Sequence, residues 1–177
     1  QRARPGRAGW GALSRGRAAL ALCPAVHTRG GATVPTEPPA DGRRILLAPM
    51  PGEQHTFGMF MVAEFFRRAG WDVIDGPVVS GAELTDALAR NWFEIIGLSL
   101  SCDRGLDAMA ALVREIRRTS RNSGIGIIVG GAVFSEHPDA VVRVDADVWA
   151  RDARQALDAA QDLLFTRPQR QRAAGRG

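Results

Sequence analysis

Residues 44–58 read RILLAPMPGEQHTFG and contain the three features that decide the fold. The apolar run at 44–50 has the length and composition of a buried strand. Residues 51–58 have the glycine and polar content of a loop, and an amphipathic helical pattern follows them. Apolar side chains recur at helical spacing at Phe57, Met61, Val62, Phe65 and Phe66. A strand, a short loop and a helix in this order form the first half of a βαβ unit.

The same alternation of short apolar runs and helical patterns continues to residue 164. Strands are predicted at 44–50, 71–74, 94–100, 125–129 and 147–150. Helices are predicted at 57–69, 82–92, 106–119, 136–142 and 153–164. In the third helix the predicted buried stripe consists of Met109, Leu112, Val113 and Ile116. Five strands interleaved with helices predict an α/β fold, a flavodoxin-like (Rossmann-like) doubly wound parallel sheet of five strands.

The composition changes at both ends of this region. Residues 1–42 are rich in Arg, Gly, Ala and Pro without periodicity, and such a segment cannot bury enough apolar surface to order the chain. They are predicted to be a disordered leader, with truncation or translation in an incorrect frame as alternatives. Residues 166–177 are predicted to be a disordered basic tail. The folded unit is expected at 43–165, as one domain of ordinary size.

Charge and composition restrict the classes of function. The net charge is +4 and no lysine is present, but the arginines cluster at the two ends with little aromatic interleaving. This distribution argues against direct nucleic-acid binding. No apolar stretch approaches the ~18 residues of a membrane span, and Cys23 and Cys102 are too far apart in sequence to indicate a disulfide framework or a zinc site. A cytoplasmic protein without membrane contact is predicted.

Chemistry-bearing residues follow three of the predicted strands. They are Glu53, His55 and Gly58 after the first strand, Ser99, Ser101 and Cys102 at the third, and Gly130 and Gly131 after the fourth. In a doubly wound sheet these three strand ends lie side by side, where open α/β sheets bind ligands. Simpler interpretations stay open, because loops are rich in polar residues, serine hydroxyls commonly bond to backbone, and Gly-Gly often serves only a turn.

The ordered spacing of these residues resembles a known family. His55-x-x-Gly58, then Ser99-x-Ser101, then Gly130-Gly131 is similar to the D-x-H-x-x-G, S-x-L and G-G of cobalamin-binding domains in B12-dependent methionine synthases, mutases and light sensors. The resemblance covers about residues 44–160. It implies a cobalamin cofactor, whether adenosyl-, methyl- or hydroxocobalamin. It further implies that the dimethylbenzimidazole leaves cobalt, the nucleotide tail enters a slot beside the sheet, and His55 becomes the lower axial ligand.

The resemblance also implies roles for the neighbouring residues. Glu53 would hold the second ring nitrogen of His55, Gly58 would let the first helix approach the tail, and Ser99 would bond within the slot. The glycine pair would leave room for a flat heterocycle. The implied cofactor-binding set is Glu53, Gln54, His55, Thr56, Phe57, Gly58, Ser99, Leu100, Ser101, Gly130 and Gly131. Two residues depart from the family pattern: Glu53 stands in place of Asp, and Ser101 in place of Leu.

Within this family, residues 51–58, 61–71 and 97–102 resemble the AerR/PpaA-type antirepressors and stand-alone B12 sensors. That resemblance implies a regulatory, non-catalytic photoreceptor-like protein with a DNA-binding repressor as its partner. One alternative is a corrinoid carrier of a methyltransferase or mutase. Another is a flavodoxin-like domain that binds haem, flavin or nothing, with His55 and Cys102 as haem ligands. His137 is predicted to flank the short helix, and His27 to lie in the leader.

Overall fold

The computed structural model describes residues 43–53, 57–76 and 80–166. Its strands are β1 (Arg44–Pro49), β2 (Asp72–Asp75), β3 (Ile95–Ser99), β4 (Gly126–Gly130) and β5 (Val148–Ala150). Its helices are α1 (Phe57–Arg68), α2 (Gly81–Arg90), α3 (Leu106–Thr119), α4 (Ala132–Glu136), α5 (Ala140–Arg143) and α6 (Ala153–Thr166), and a 3₁₀ turn (Asp103–Gly105) precedes α3. The strands form one parallel sheet in the order β2-β1-β3-β4-β5. The predicted flavodoxin-like fold is confirmed.

Two apolar layers cover the two faces of the sheet. One face buries Ile45, Leu47, Ile95 and Ile128 beneath α1 and α6. The other face buries Leu46, Ile96, Leu98 and Ile127 beneath α2 to α5, and the predicted stripe of α3 is buried there. Alternate residues of a strand point to opposite faces. Strands covered on both sides therefore appear in the sequence as continuous apolar runs.

One predicted element is wrong. The single helix expected at 136–142 is two short helices, α4 and α5, separated by His137, Pro138 and Asp139. Pro138 disfavours helical geometry in the residue before it, and His137 has φ −130° and ψ 74° as the C-cap of α4. His137 therefore flanks a short helix, as expected. Several other boundaries differ by one or two residues: β4 includes Gly130, and α6 continues to Thr166.

Charged side chains are paired at the edge of the sheet opposite the strand carboxyl ends. Arg44 is buried, and its Nε donates to Asp72 Oδ2 at 2.6 Å. Buried Glu94 accepts hydrogen bonds from the Arg44 amide at 3.1 Å and from the Trp92 indole at 2.6 Å. This cluster anchors the beginnings of β1, β2 and β3, because a buried charge is tolerated when it is paired and hydrogen-bonded.

The predicted leader and most of the predicted tail lie outside the described residues. No helix within the described ranges is long and apolar enough to cross a lipid bilayer.

Candidate functional site

The loops after β1, β3 and β4 meet at the carboxyl edge of the sheet. The Met50 amide donates to Ser99 O, and the Leu100 amide donates to Gly130 O, each at 3.0 Å. These hydrogen bonds continue the parallel ladder beyond the strands, so the three chains leave the sheet side by side. The structure therefore brings together the three loops that carry the candidate residues.

Glu53 joins the first two of these loops. Its Oε2 accepts a hydrogen bond of 2.8 Å from the Ser101 amide, and its own amide donates to Met50 O at 2.9 Å. Gly52 has φ +86°, a conformation that glycine adopts without strain, and it turns the chain back toward β3. The carboxylate thus stands at the rim of the sheet, two residues before His55.

Gly131 joins the loops after β3 and β4. It has φ +107°, and a Cβ placed on it would lie 2.2 Å from Leu100 O. A Cβ on Gly130 would lie 3.0 Å from Ala150 O. Glycine is therefore required at position 131 because a Cβ would collide with the backbone of Leu100. This reason differs from the one that the resemblance implies, which is room for a flat heterocycle.

A cavity of about 380 Å³ opens between this edge of the sheet and helices α1 and α6. It arises because the sheet carries small residues there: Ser99, Gly130 and Ala150 occupy adjacent register positions on β3, β4 and β5. The helices add Gly58 from α1 and Ala153 and Ala156 from α6. The volume lies within the range of small-molecule sites, and like such sites the cavity is lined mostly by apolar groups.

Ser99 supplies the cavity with a polar group that lacks a partner. Its Oγ is buried and makes no hydrogen bond to any described residue. An unsatisfied buried hydroxyl costs about 1–3 kcal/mol, so this atom fits a ligand that brings its own hydrogen-bonding group. The simpler interpretation, a hydroxyl bonded to nearby backbone, is not what the structure shows. Ser101 also lines the cavity and makes this wall more polar than the Leu of the family pattern would.

The structure places the remaining predicted residues differently. Gly58 lines the cavity, and a Cβ on it would contact nothing within 4 Å. Leu100 is not among the described cavity residues, and its side chain is buried in the layer on the opposite face. Phe57 is 77% exposed at the start of α1 and is not among the described cavity residues. Gln54, His55 and Thr56 lie outside the described residues. Cys102 is exposed, with Sγ 3.5 Å from Asp103 Oδ1.

Sequence reasoning missed Arg151 and Asp152, which follow β5 and line the same cavity. A signal was present, because the loop after strand five leaves the same carboxyl edge as the other three loops. The Gln155 side chain accepts from the Arg151 amide at 3.0 Å, and Asp152 Oδ1 accepts from the Gln155 amide at 2.8 Å. These bonds cap the first turn of α6 and hold the loop in place.

Helix α1 has apolar side chains on two sides. Ala63 and Phe66 are buried against the sheet, whereas Phe57, Phe60 and Met61 are 77%, 57% and 50% exposed. The exposed group begins directly after the loop that carries His55. The apolar spacing that predicted the helix therefore includes residues that the described structure leaves uncovered.

Comparison with known proteins identifies relatives of this chain. A family model described as "B12 binding domain" matches residues 43–161. A Rhodobacter capsulatus protein named "Uncharacterized 20.5 kDa protein in bchF-crtJ intergenic region" is 30% identical over 115 residues, which are 64% of this chain and 58% of that protein.

Two solved structures share the fold. A novel cobalamin-binding protein from Desulfitobacterium hafniense DCB-2 has a TM-score of 0.59 and 24% identity over 68% of this chain and 58% of its own. The monomethylamine corrinoid protein of Methanosarcina barkeri has a TM-score of 0.61 and 17% identity over 69% of this chain and 58% of its own. The chain thus spans 58% of the length of each of these three relatives.

Proposed function

Because the chain belongs to the family of B12-binding domains, we propose that it is a cobalamin sensor that holds its cofactor base-off, with His55 as the lower axial ligand of cobalt. Membership of this family identifies cobalamin as the cofactor and favours it over the haem alternative.

The cavity beside β3 and β4 is the observation that supports base-off binding. It provides an apolar slot of about 380 Å³ that contains one buried, unpartnered hydroxyl, that of Ser99. A displaced dimethylbenzimidazole is flat and apolar and has a ring nitrogen that can accept a hydrogen bond. Apolar walls and a buried O–H donor are the complement of such a group. The described residues therefore fit the tail of the cofactor.

Chain connectivity supports His55 as the ligand. Glu53 is anchored at the rim through Ser101, and α1 begins at Phe57. His55 is two residues from each, and two residues span at most ~7 Å. Imidazole binds a metal in its neutral form. A carboxylate accepts several hydrogen bonds, so the bond from Ser101 is compatible with a second bond to Glu53 from the imidazole N–H.

The regulatory role rests on the position of α1. Cobalamin with an organic upper ligand supplies a cobalt–carbon bond that light can cleave. We expect a change of ligation at the loop of His55 to shift α1, because the helix starts two residues later. A shift of α1 would then move an exposed apolar surface that a protein partner can contact, formed by Phe57, Phe60 and Met61. The similarity of residues 51–58, 61–71 and 97–102 to the antirepressors favours a DNA-binding repressor as that partner.

Absorption spectroscopy of the purified protein tests the ligation. We expect hydroxocobalamin to bind with the spectrum of a histidine-ligated, base-off corrinoid. His55→Ala should lose that spectrum but should still bind corrinoid, because the cavity beside β3 and β4 would still hold the nucleotide tail. His137→Ala is the matched control, since His137 is exposed and lies outside the cavity lining. A histidine-ligated spectrum in His55→Ala would refute the assignment.

A second experiment separates the sensor from the corrinoid carrier. Adenosyl- and methylcobalamin complexes are prepared in darkness, and amide hydrogen exchange is measured before and after illumination. A sensor should change exchange in α1, with β2 as an internal reference. Stoichiometric methyl transfer from the methylcobalamin complex to the acceptor substrate of a methyltransferase partner, without a light effect on α1, would instead identify a carrier.

A further inference from the structure

Arg151 is among the described residues that line the cavity, and the base-off mode leaves its positive charge without a role. Among the described residues that line it, the charged ones are Arg151 and Asp152, and the others are apolar residues, glycines or serines. The nucleotide tail of cobalamin contains a phosphodiester with one negative charge. Placing that charge in or beside an apolar cavity is costly unless a cation meets it. The guanidinium group suits a phosphate, because it donates two parallel hydrogen bonds.

The backbone of Arg151 is held in place while its side chain can be redirected. Its amide donates to Gln155 Oε1, and the neighbouring Asp152 caps α6. The Arg151 side chain is 71% exposed, and its Nε lies 3.5 Å from Asp152 Oδ2. Exposed ion pairs contribute little to stability. The guanidinium can therefore exchange this partner for a phosphate at small cost.

We propose that Arg151 binds the phosphodiester of the nucleotide tail at the mouth of the cavity and makes this chain select complete cobalamin over corrinoids that lack the tail. The inference rests on the proposed function, in which the tail enters the cavity between the sheet and helices α1 and α6. It adds a residue that determines ligand specificity, directly after the end of β5.

The test compares three probes: hydroxocobalamin, cobinamide, which has neither phosphate nor base, and cobinamide phosphate, which has the phosphate without the base. Wild-type protein should bind hydroxocobalamin most tightly, cobinamide phosphate less tightly and cobinamide least tightly. Arg151→Gln should lower the affinity for hydroxocobalamin and for cobinamide phosphate by about tenfold or more. It should leave cobinamide unchanged. Arg151→Lys should restore part of the loss, because it retains the charge without the fork of donors.

The matched control is Arg154→Gln, which makes the same charge change on α6 at an exposed residue outside the described cavity lining. It should bind all three probes as the wild type does. Equal affinities of wild type and Arg151→Gln for hydroxocobalamin would overturn the inference and leave the proposed function standing. An equal loss of affinity for all three probes in Arg151→Gln would also overturn it, because the substitution would then disturb the structure of the protein and not a contact with the phosphate. If the wild type does not bind hydroxocobalamin more tightly than cobinamide, the inference is overturned, and so is the proposal that the nucleotide tail enters the cavity.

Discussion

The carboxylate of Glu53 accepts a hydrogen bond of 2.8 Å from the backbone amide of Ser101, although the two residues are 48 positions apart in the chain. This bond links the loop that leads to His55 with the loop that follows β3. The Glu53 side chain therefore positions the rim of the cavity, whichever second donor it also meets. Aspartate in the family pattern is one methylene shorter, so the longer side chain has the reach that this cross-loop bond uses.

Removing this carboxylate should loosen the rim. Glu53→Ala leaves the Ser101 amide without its acceptor, and hydrogen bonds to charged groups contribute about 1.5–3 kcal/mol. We expect the free energy of unfolding to fall by about 2 kcal/mol, as measured by urea denaturation of the cofactor-free protein. Glu53→Gln should lose less, because its amide oxygen still accepts. Glu136→Ala, at an exposed glutamate, should change little. Equal effects of Glu53→Ala and Glu136→Ala would contradict the structural role.

Alanine at position 131 should be poorly tolerated. Its Cβ would lie 2.2 Å from Leu100 O, and the backbone has φ +107°. Gly131→Ala should destabilise the protein by about 3 kcal/mol or more, because strain and collision act together. Gly52→Ala is the control, since Gly52 has φ +86° but open space around it, and it should cost about 1 kcal/mol. Differential scanning calorimetry measures both, and equal costs would show that the contact with Leu100 yields easily.

Ser99→Ala should separate stability from binding. Deleting an unpartnered buried hydroxyl removes a polar group that the cofactor-free fold does not satisfy. Stability should stay the same or rise by up to about 1 kcal/mol, whereas cobalamin affinity should fall about fivefold to tenfold. Isothermal titration calorimetry gives the affinity, with Ser135→Ala on the exposed side of α4 as the control. Retention of full affinity by Ser99→Ala would exclude a hydrogen bond from this hydroxyl to the tail.

Substitutions of Gly58 should also affect stability and binding in opposite directions. Alanine meets no described atom within 4 Å and has a higher helix propensity, so Gly58→Ala should stabilise the cofactor-free protein by up to about 1 kcal/mol. Because Gly58 lines the cavity, we expect the added methyl group to occupy part of its space and Gly58→Leu to obstruct it further. Cobalamin affinity should fall in the order Gly, Ala, Leu in a spectral titration. Unchanged affinity in the leucine variant would place the tail away from α1.

Much of the fold could be predicted because its signals are local. Apolar runs bounded by glycine and polar residues marked every strand, and helical spacing marked α3 with its buried stripe. The break at Pro138 was missed, because the apolar spacing from 136 to 142 outweighed a single helix-disfavouring residue. The exposure of Phe57 and Met61 could not be predicted, since spacing identifies a helix without showing which of its apolar sides is covered.

The amino-acid sequence by itself determined the alternation of strands and helices and which loops carry the polar residues, because periodicity and the order of elements along the chain are properties of the sequence. Tertiary structure alone decided the site. Ser99, Gly130 and Ala150 make a hollow only when register sets them side by side. Arg151 joins that hollow only when β5 pairs with β4 and α6 packs beside α1. A cavity is space between side chains distant in sequence, and it exists only once their strands are paired.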